Sequence, residues 1–106
     1  MTNESNKYLY LTSIGRVTRQ SREIEIWFIE HDGRFYLIAE HRERAHWVRN
    51  IEVRPAVKVR VGDRRFDATA RVIRDEDEPA LTCAVKAVFD AKYGWSDGLV
   101  VELNPT

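Results

Sequence analysis

The segment from Leu11 to Phe28 holds three arginines at every third position: Arg16, Arg19 and Arg22. Gly15 and several hydroxyl side chains lie among them, between two apolar runs, so the pattern predicts a strand, a polar turn and a second strand. Guanidinium groups bind phosphate and carboxylate through paired hydrogen bonds, and exposed backbone N–H groups add further donors. The segment is therefore a candidate anion-binding site; the alternative is that these turn arginines are simply solvated.

The size and charge of the chain limit what it can be. With 106 residues, 43% hydrophobic and 32% charged, the sequence predicts one globular domain over residues 1–106, with residues 1–6 disordered. Lys plus Arg equals Asp plus Glu at 17 each, so nucleic-acid binding is not expected. Four of the 17 basic residues are lysine and the other thirteen are arginine, the residue suited to planar contacts with phosphate or carboxylate.

Cysteine content and hydropathy indicate the compartment. Cys83 is the only cysteine, so an intramolecular disulfide is impossible, as is usual in a reducing compartment. No apolar run reaches the ~18 residues that a transmembrane helix needs, and the N-terminus lacks an apolar signal core. We therefore expect a soluble cytoplasmic protein without a transmembrane segment. Without Cys pairs or an H-x-x-x-H spacing, no metal site is predicted.

The elements that must position the arginines follow from apolar periodicity. In the run at 22–30, Ile24 and Phe28 fall on one face and Trp27 on the other, so the Trp27 indole is expected on the wet face of a strand. Asp32-Gly33 predicts a tight hairpin turn after it. Together the patterns predict six strands and two helices: strands near 8–12, 22–30, 35–39, 57–61, 66–72 and 99–103, a short helix around Trp47, Val48 and Ile51, and a helix at 78–93.

This order of elements predicts a mainly β (α+β) protein. Hairpins dominate and no strand-helix-strand unit recurs, so the sheet is expected to be antiparallel. Six strands in so short a chain can curl into a small barrel, which removes exposed edges, while the helix at 78–93 covers an open end. An OB-type barrel is the alternative architecture.

Several short motifs occur in an order that resembles the deazaflavin-dependent nitroreductase family. They are T-x-x-G-R-x-T at residues 12–18, Arg22, Trp27-Phe28, Ala39, Trp47-x-x-Asn50, Arg54-Pro55-x-Val57-x-Val59 and the closing LVVELNP. The resemblance implies a six-stranded antiparallel split β-barrel of the pyridoxamine-phosphate-oxidase or FMN-binding type, with two covering helices. It also implies an oxidoreductase that transfers a hydride from reduced coenzyme F420 to a quinone, nitroaromatic or enone.

Site residues carry over position by position from this resemblance. In the family's turn, which contacts the phosphate and acidic tail of the cofactor, the matching residues are Gly15, Arg16, Thr18 and Arg22. Trp47 and Asn50 match helix positions beside the cofactor pocket.

The chain also departs from the family pattern. Arg19 replaces the second glycine of the turn, Glu25 replaces a proline, and Arg54 replaces the asparagine of an N-P pair. The family's glycine-containing loop is replaced by residues 39–44, where the side chains of His41, Arg42 and Arg44 are the available substitutes for backbone contacts to the phosphate.

In the mechanism implied by the resemblance, the protein supplies position and local charge around the cofactor and a small-molecule acceptor. Trp27 and Trp47 would offer flat surfaces to a tricyclic ring, and simple packing is the alternative for both. No residue is assigned as catalytic, because the sequence does not choose a proton donor among Tyr8, Tyr10, Tyr36 and His46. Two other functions stay open: a binder of FMN, haem or an amphiphilic ligand, and a cofactor-free structural homodimer.

Overall fold

The computed structural model describes residues 7–106, so the predicted disorder of residues 1–6 lies outside the described residues. Seven strands and two helices follow one another: β1 (Tyr8–Ile14), β2 (Ser21–Trp27), β3 (Ile29–His31), β4 (Arg34–Ala39), α1 (His46–Val53), β5 (Ala56–Val61), β6 (Arg64–Ile73), α2 (Pro79–Tyr93) and β7 (Leu99–Pro105). A single 3-10 turn, Arg42–Arg44, precedes α1.

All strands belong to one antiparallel sheet in the order β2-β1-β5-β6-β7-β4-β3. The sheet curls until β2 approaches β4 and forms a half-barrel, which confirms the antiparallel split-barrel fold that the resemblance implies. The first hairpin pairs Thr12 with Glu23 and Ile14 with Ser21, so the arginine-bearing turn lies at its tip. Asp32 and Gly33 have φ values of 53° and 76°, as the predicted tight turn requires.

The strand predicted at 22–30 is wrong in one respect, because it is divided at Phe28 into β2, which pairs with β1, and β3, which pairs with β4. The Phe28 N–H donates to Tyr93 Oη at 3.1 Å, and the Phe28 carbonyl accepts from Tyr93 Oη at 2.6 Å and from Lys92 Nζ at 3.1 Å. Side chains of α2 thus replace the ladder hydrogen bonds at this residue. The chain changes strand partner there, and the sheet has seven strands instead of six.

Apolar residues fill the concave side of the sheet and the space beneath α2. The interior cluster includes Leu9, Leu11, Phe35, Leu37 and Leu103, each 0% exposed. On the opposite face, α2 packs over β3, β4 and β7 through Val85 and Phe89, among others. Burial on both faces explains why β4 reads as an almost continuous apolar run.

The two helices have the ends that the sequence predicts. Pro79 occupies the first turn of α2, and Gly94 ends it with φ of 71°, a left-handed conformation that glycine adopts without strain. The helix α1 ends at Val53, just before Arg54-Pro55, and buries Val48 and Ile51 against the barrel. Within residues 7–106, neither helix is long and apolar enough to cross a bilayer.

Candidate cofactor site

The turn between β1 and β2 is closed by its own backbone. The Gly15 N–H donates to the Gln20 carbonyl at 2.9 Å, and the Arg19 N–H donates to the Gly15 carbonyl at 2.9 Å. A Cβ atom at residue 15 would lie 2.8 Å from Thr18 Oγ1, so a side chain there would displace that hydroxyl. Arg19, which replaces the second glycine of the resembled family, has φ of 61°. The turn therefore has a left-handed residue at this position, a conformation that glycine adopts more easily than arginine.

Asn50 of the helix α1 holds Arg16, which lies in the turn between β1 and β2. Asn50 Oδ1 accepts from the Arg16 backbone N–H at 3.1 Å and from Arg16 Nη1 at 2.9 Å. Asn50 is 6% exposed, and its neighbours Val48 and Ile51 anchor α1 in the core. Asn50 therefore positions the guanidinium of Arg16, whose remaining N–H groups are left for another acceptor.

A cavity of about 520 Å³ opens beside this pair, and we call it the basic cleft. Its lining consists of Gly15, Arg16, Val17, Thr18, Arg22, Ile24, His46, Trp47 and Asn50. None of these is a carboxylate. In the part of the chain that the structure describes, Arg16 and Arg22 form no ion pair. Two guanidinium groups, a hydroxyl and an amide thus face a cavity with no protein anion to neutralise them.

A second cavity of about 600 Å³, which we call the aromatic pocket, lies on the other side of Ile24 and Trp47. It is lined by Tyr8, Ile24, Glu25, Ile26, Trp27, Ile38, Ala39, Glu40, His41, Ala45, Trp47 and Trp95. All three tryptophans of the chain are among them. This volume is in the range of small-molecule sites, which are usually mostly apolar with a few polar groups.

Trp27 does not lie on a wet face as the strand pattern predicted. Its ring stacks on Tyr93 with centroids 4.5 Å apart and an angle of 5° between the planes, and Trp95 meets it edge-on at 6.2 Å. The cause is α2, whose C-terminal end covers the outer side of β2 and gives the indole an apolar partner. Trp27 therefore serves packing and also forms part of the pocket wall.

The structure places most predicted site residues around these two cavities. The basic cleft holds Gly15, Arg16, Thr18, Arg22 and Asn50, the aromatic pocket holds Trp27 and His41, and Trp47 belongs to both. Arg42 lines neither cavity and pairs with Asp97, with Arg42 Nη2 3.3 Å from Asp97 Oδ1. Ile24 and Trp95 were not selected from the sequence, because an apolar residue of a strand and an aromatic residue after a helix carry no chemical pattern.

Two of the four proton-donor candidates line one of these cavities, and two do not. Tyr8 lines the aromatic pocket and His46 lines the basic cleft. Tyr36 is 2% exposed and donates to Glu102 Oε2 at 2.9 Å; burial, together with this hydrogen bond, raises the pKa of Tyr36 to about 12. Tyr10 donates to Glu25, and this hydrogen bond raises the pKa of Tyr10. Of the four, Tyr8 and His46 reach a cavity.

Comparison with known proteins adds an independent observation. The profile of a family described as F420H(2)-dependent quinone reductase matches residues 2–96, nearly the whole chain. No curated protein sequence matches the chain at a significant level.

Many solved structures share the fold, and three of them show its range. HutZ, the heme storage protein from Vibrio cholerae, has a TM-score of 0.80 at 19% identity, covering 98% of this chain and 84% of its own. An F420-H2 dependent reductase, FDR-A, has a TM-score of 0.64 at 22% identity, with coverages of 92% and 94%. A protein described as a domain-swapped dimer has a TM-score of 0.65 at 20% identity, with coverages of 92% and 80%. At these identities the likeness establishes the fold.

Proposed function

The chain belongs to the F420H(2)-dependent quinone reductase family, and from this premise we propose that it transfers a hydride from reduced F420 to an organic acceptor such as a quinone, nitroaromatic or enone. The observation that carries the proposal is that a basic cavity and an aromatic cavity adjoin each other. The basic cleft and the aromatic pocket meet at Ile24 and Trp47. A molecule with an anionic tail and a flat tricyclic ring needs such a pair of adjoining sites.

The basic cleft fits the anionic part of the cofactor. Arg16 and Arg22 present guanidinium groups that no carboxylate in residues 7–106 neutralises, and Thr18 adds a hydroxyl. Asn50 uses its amide oxygen on Arg16, so its amide nitrogen stays available as a donor to the cleft. Hydrogen bonds from charged donors to phosphate or carboxylate contribute about 1.5–3 kcal/mol each.

The aromatic pocket fits the ring. Trp47 forms the boundary between the cavities, so a ring that enters the pocket from the cleft lies against its indole. Ile24, Ile26 and Ile38 add apolar walls. Aromatic and aliphatic walls of this kind bind flat rings through burial and offset stacking.

Bound F420 in its reduced form supplies the hydride, and the residues of the chain bind, orient and shield. Arg16 and Arg22 would hold the anionic tail, and Trp47 with the isoleucines would shield the ring from water. A reduced quinone or nitro group also needs protons. Of the four predicted donors, Tyr8 in the pocket and His46 in the cleft are the two that line a cavity and would deliver them.

Fluorescence titration tests this function, with F420 and FMN measured in parallel on the wild-type protein. We expect F420 to bind in the micromolar range and its reduced form to be oxidised when menadione is added. FMN offers a phosphate and a tricyclic ring to the same two cavities, so it is the relevant competitor. Binding of FMN alone would replace the cofactor assignment, and binding of neither would reject the proposal.

We also propose that the protein forms a homodimer. β2 is an edge strand of the sheet, and its Ile24 and Ile26 are only partly buried. A neighbour of the same fold is described as a domain-swapped dimer. A second copy that covers β2 would satisfy its edge and enclose both cavities. Light scattering at several concentrations tests this: a constant mass of one chain rejects it.

A further inference from the structure

The two adjoining cavities differ in charge. The basic cleft has Arg16, Arg22 and His46 in its lining and no acid. The aromatic pocket has Glu25 and Glu40 in its lining and no lysine or arginine. An anionic ligand is thus attracted to one side of the boundary at Ile24 and Trp47 and repelled on the other.

The two carboxylates of the pocket are not neutralised by a strong cation. Glu25 accepts a hydrogen bond from the neutral hydroxyl of Tyr10, and the nearby Arg60 pairs with Glu23 at 3.7 Å instead. Glu40 has His41 Nε2 at 3.9 Å, and both of these side chains are mainly exposed. Among the residues that the structure describes, neither Glu25 nor Glu40 pairs with an arginine or lysine.

Apolar walls increase the effect of these charges. Three isoleucines and three tryptophans make up half of the lining residues, so a ligand in the pocket gives up water on several sides. Glu25 and Glu40 are themselves exposed to solvent, so their Coulomb interaction with such a ligand is screened less than in bulk water only on the walled sides of the pocket.

We propose that the part of the aromatic pocket left beside the cofactor ring receives the hydride acceptor and selects flat aromatic molecules without negative charge, with Glu25 and Glu40 as the specificity-determining residues. The proposal rests on the proposed function, since it names the acceptor class of the same reductase. The same charge pattern gives the cofactor one orientation, because its anionic tail is repelled from the acceptor pocket and attracted by Arg16 and Arg22.

The intrinsic fluorescence of the protein reports on this pocket directly, because every tryptophan of the chain lines it. The probes are three nitroaromatics of one ring system: para-nitrobenzoate, para-nitrobenzamide and para-nitrobenzyltrimethylammonium. Quenching titrations give their dissociation constants with and without F420. We expect the anion to bind about tenfold more weakly than the amide, and the cation at least as tightly as the amide. The difference should shrink as salt is added.

The double variant Glu25→Gln with Glu40→Gln removes both charges while it keeps an acceptor for the Tyr10 hydroxyl. It should bring the anion within about threefold of the amide. Glu23→Gln is the matched control, because Glu23 is on the same strand, pairs with Arg60 and does not line the pocket. This control should keep the wild-type discrimination.

The outcomes separate this proposal from the reductase assignment. Three results would overturn the acceptor proposal. The wild-type protein could bind all three probes with equal affinity, no probe could quench its fluorescence, or the double variant could discriminate between the probes as the wild type does. These titrations need no turnover, so they remain decisive if F420 fails to bind. Where reduced F420 is oxidised, the ratio of kcat/KM for the amide over the anion should fall in the double variant as the binding ratio does.

Discussion

Arginines occur in two contrasting settings in this protein, and the group that faces them makes the difference. On the side of the sheet covered by α2, Glu102 is 2% exposed and accepts from Arg34 at 3.2 Å, from Arg71 at 3.3 Å and from the Tyr36 hydroxyl at 2.9 Å. Arg71 also bonds Glu78, just before α2. The guanidinium groups of Arg34 and Arg71 therefore bind carboxylates that link β4, β6 and β7 to each other and to the start of α2.

In the basic cleft, Arg16 faces the neutral amide of Asn50 instead of a carboxylate. Asn50 orients the guanidinium without cancelling its charge, and Arg22 on the neighbouring strand has no ion pair within the described residues. The same residue type therefore stabilises the fold where a carboxylate meets it and stays available to a ligand where an amide meets it. Five predictions test this contrast, and each should affect one region and spare the other.

Removal of both cleft arginines, Arg16→Ala with Arg22→Ala, should have the largest effect. Each lost charge-assisted contact weakens F420 binding by about 1.5–3 kcal/mol, so the pair should reduce affinity by a factor of at least a hundred. The free energy of unfolding should change by only about 1 kcal/mol, because the variant loses one side-chain hydrogen bond, from Arg16 to Asn50, and Asn50 Oδ1 keeps the backbone N–H of residue 16 as a donor. Fluorescence titration and urea unfolding measure the two quantities.

Arg19→Ala is the matched control, since Arg19 is in the same turn and does not line the cleft. It should leave F420 affinity within about twofold of wild type, as surface substitutions usually do. Equal loss of affinity in Arg19→Ala and the double variant would mean that general charge, and not the cleft, binds the cofactor.

Glu102→Ala should show the opposite pattern. It leaves the buried Tyr36 hydroxyl without its acceptor and Arg71 without one of its carboxylates. We expect a loss of about 2–4 kcal/mol in the free energy of unfolding, below the full value for a buried pair because Arg34 and Arg71 are about half exposed. F420 affinity at a temperature where the variant is folded should be unchanged. A stable variant with weakened binding would reverse our assignment of the two regions.

Asn50→Asp would make the cleft resemble the Glu102 region. The new carboxylate is nearly isosteric and lies where Oδ1 now accepts from Arg16 at 2.9 Å, so it would form an ion pair and reduce the positive charge of the cleft. We expect F420 binding to weaken by about 1.5–3 kcal/mol while the protein stays folded. Asn50→Gln serves as the uncharged comparison. Unaltered affinity in Asn50→Asp would contradict the role given to the amide.

Strongly alkaline pH should weaken the Glu102 region. Burial and the hydrogen bond to Glu102 raise the pKa of Tyr36 from 10 to about 12. The folded protein holds this proton more tightly than the unfolded chain, so the stabilisation is complete below pH 10 and is lost as the pH rises toward 12. By this linkage a rise of about two pKa units corresponds to about 2–3 kcal/mol. The difference between the phenolate titrations of wild type and Tyr36→Phe should therefore show a tyrosine that ionises near pH 12; ionisation near pH 10 would contradict this.

Arg19→Gly should have the smallest effect. Arg19 has φ of 61°, a conformation that costs a non-glycine residue about 1–2 kcal/mol, and the greater freedom of glycine in the unfolded chain offsets part of the gain. We expect the free energy of unfolding to rise by up to about 1 kcal/mol with F420 affinity unchanged. A marked destabilisation would show that the Arg19 side chain itself holds the turn.

Local sequence signals predicted the elements that depend on neighbouring residues. Asp32-Gly33 predicted its hairpin turn, and Pro79 and Gly94 predicted the ends of α2, because each acts on its own backbone. The family resemblance brought Arg16 and Asn50 into one prediction although they are 34 positions apart. The structure adds that they contact each other.

Features that depend on distant side chains could not be predicted. The division of β2 from β3 at Phe28 and the covered ring of Trp27 both result from Tyr93, which is 65 positions after Phe28. Period-two alternation describes a strand with one solvated face, and it gave a wrong face for Trp27 because α2 covers that side of the sheet. The join of the two cavities at Ile24 and Trp47 likewise exists only once the sheet has curled.

A crystal structure of the F420 complex tests the central claim most directly. We predict that phosphate or carboxylate oxygens of the cofactor lie within hydrogen-bond distance of the Arg16 and Arg22 guanidinium groups, with Asn50 still bonded to Arg16 and the ring against Trp47. An anionic tail bound elsewhere, with Arg16 and Arg22 turned to solvent, would contradict the account and leave the cleft without a role in cofactor binding.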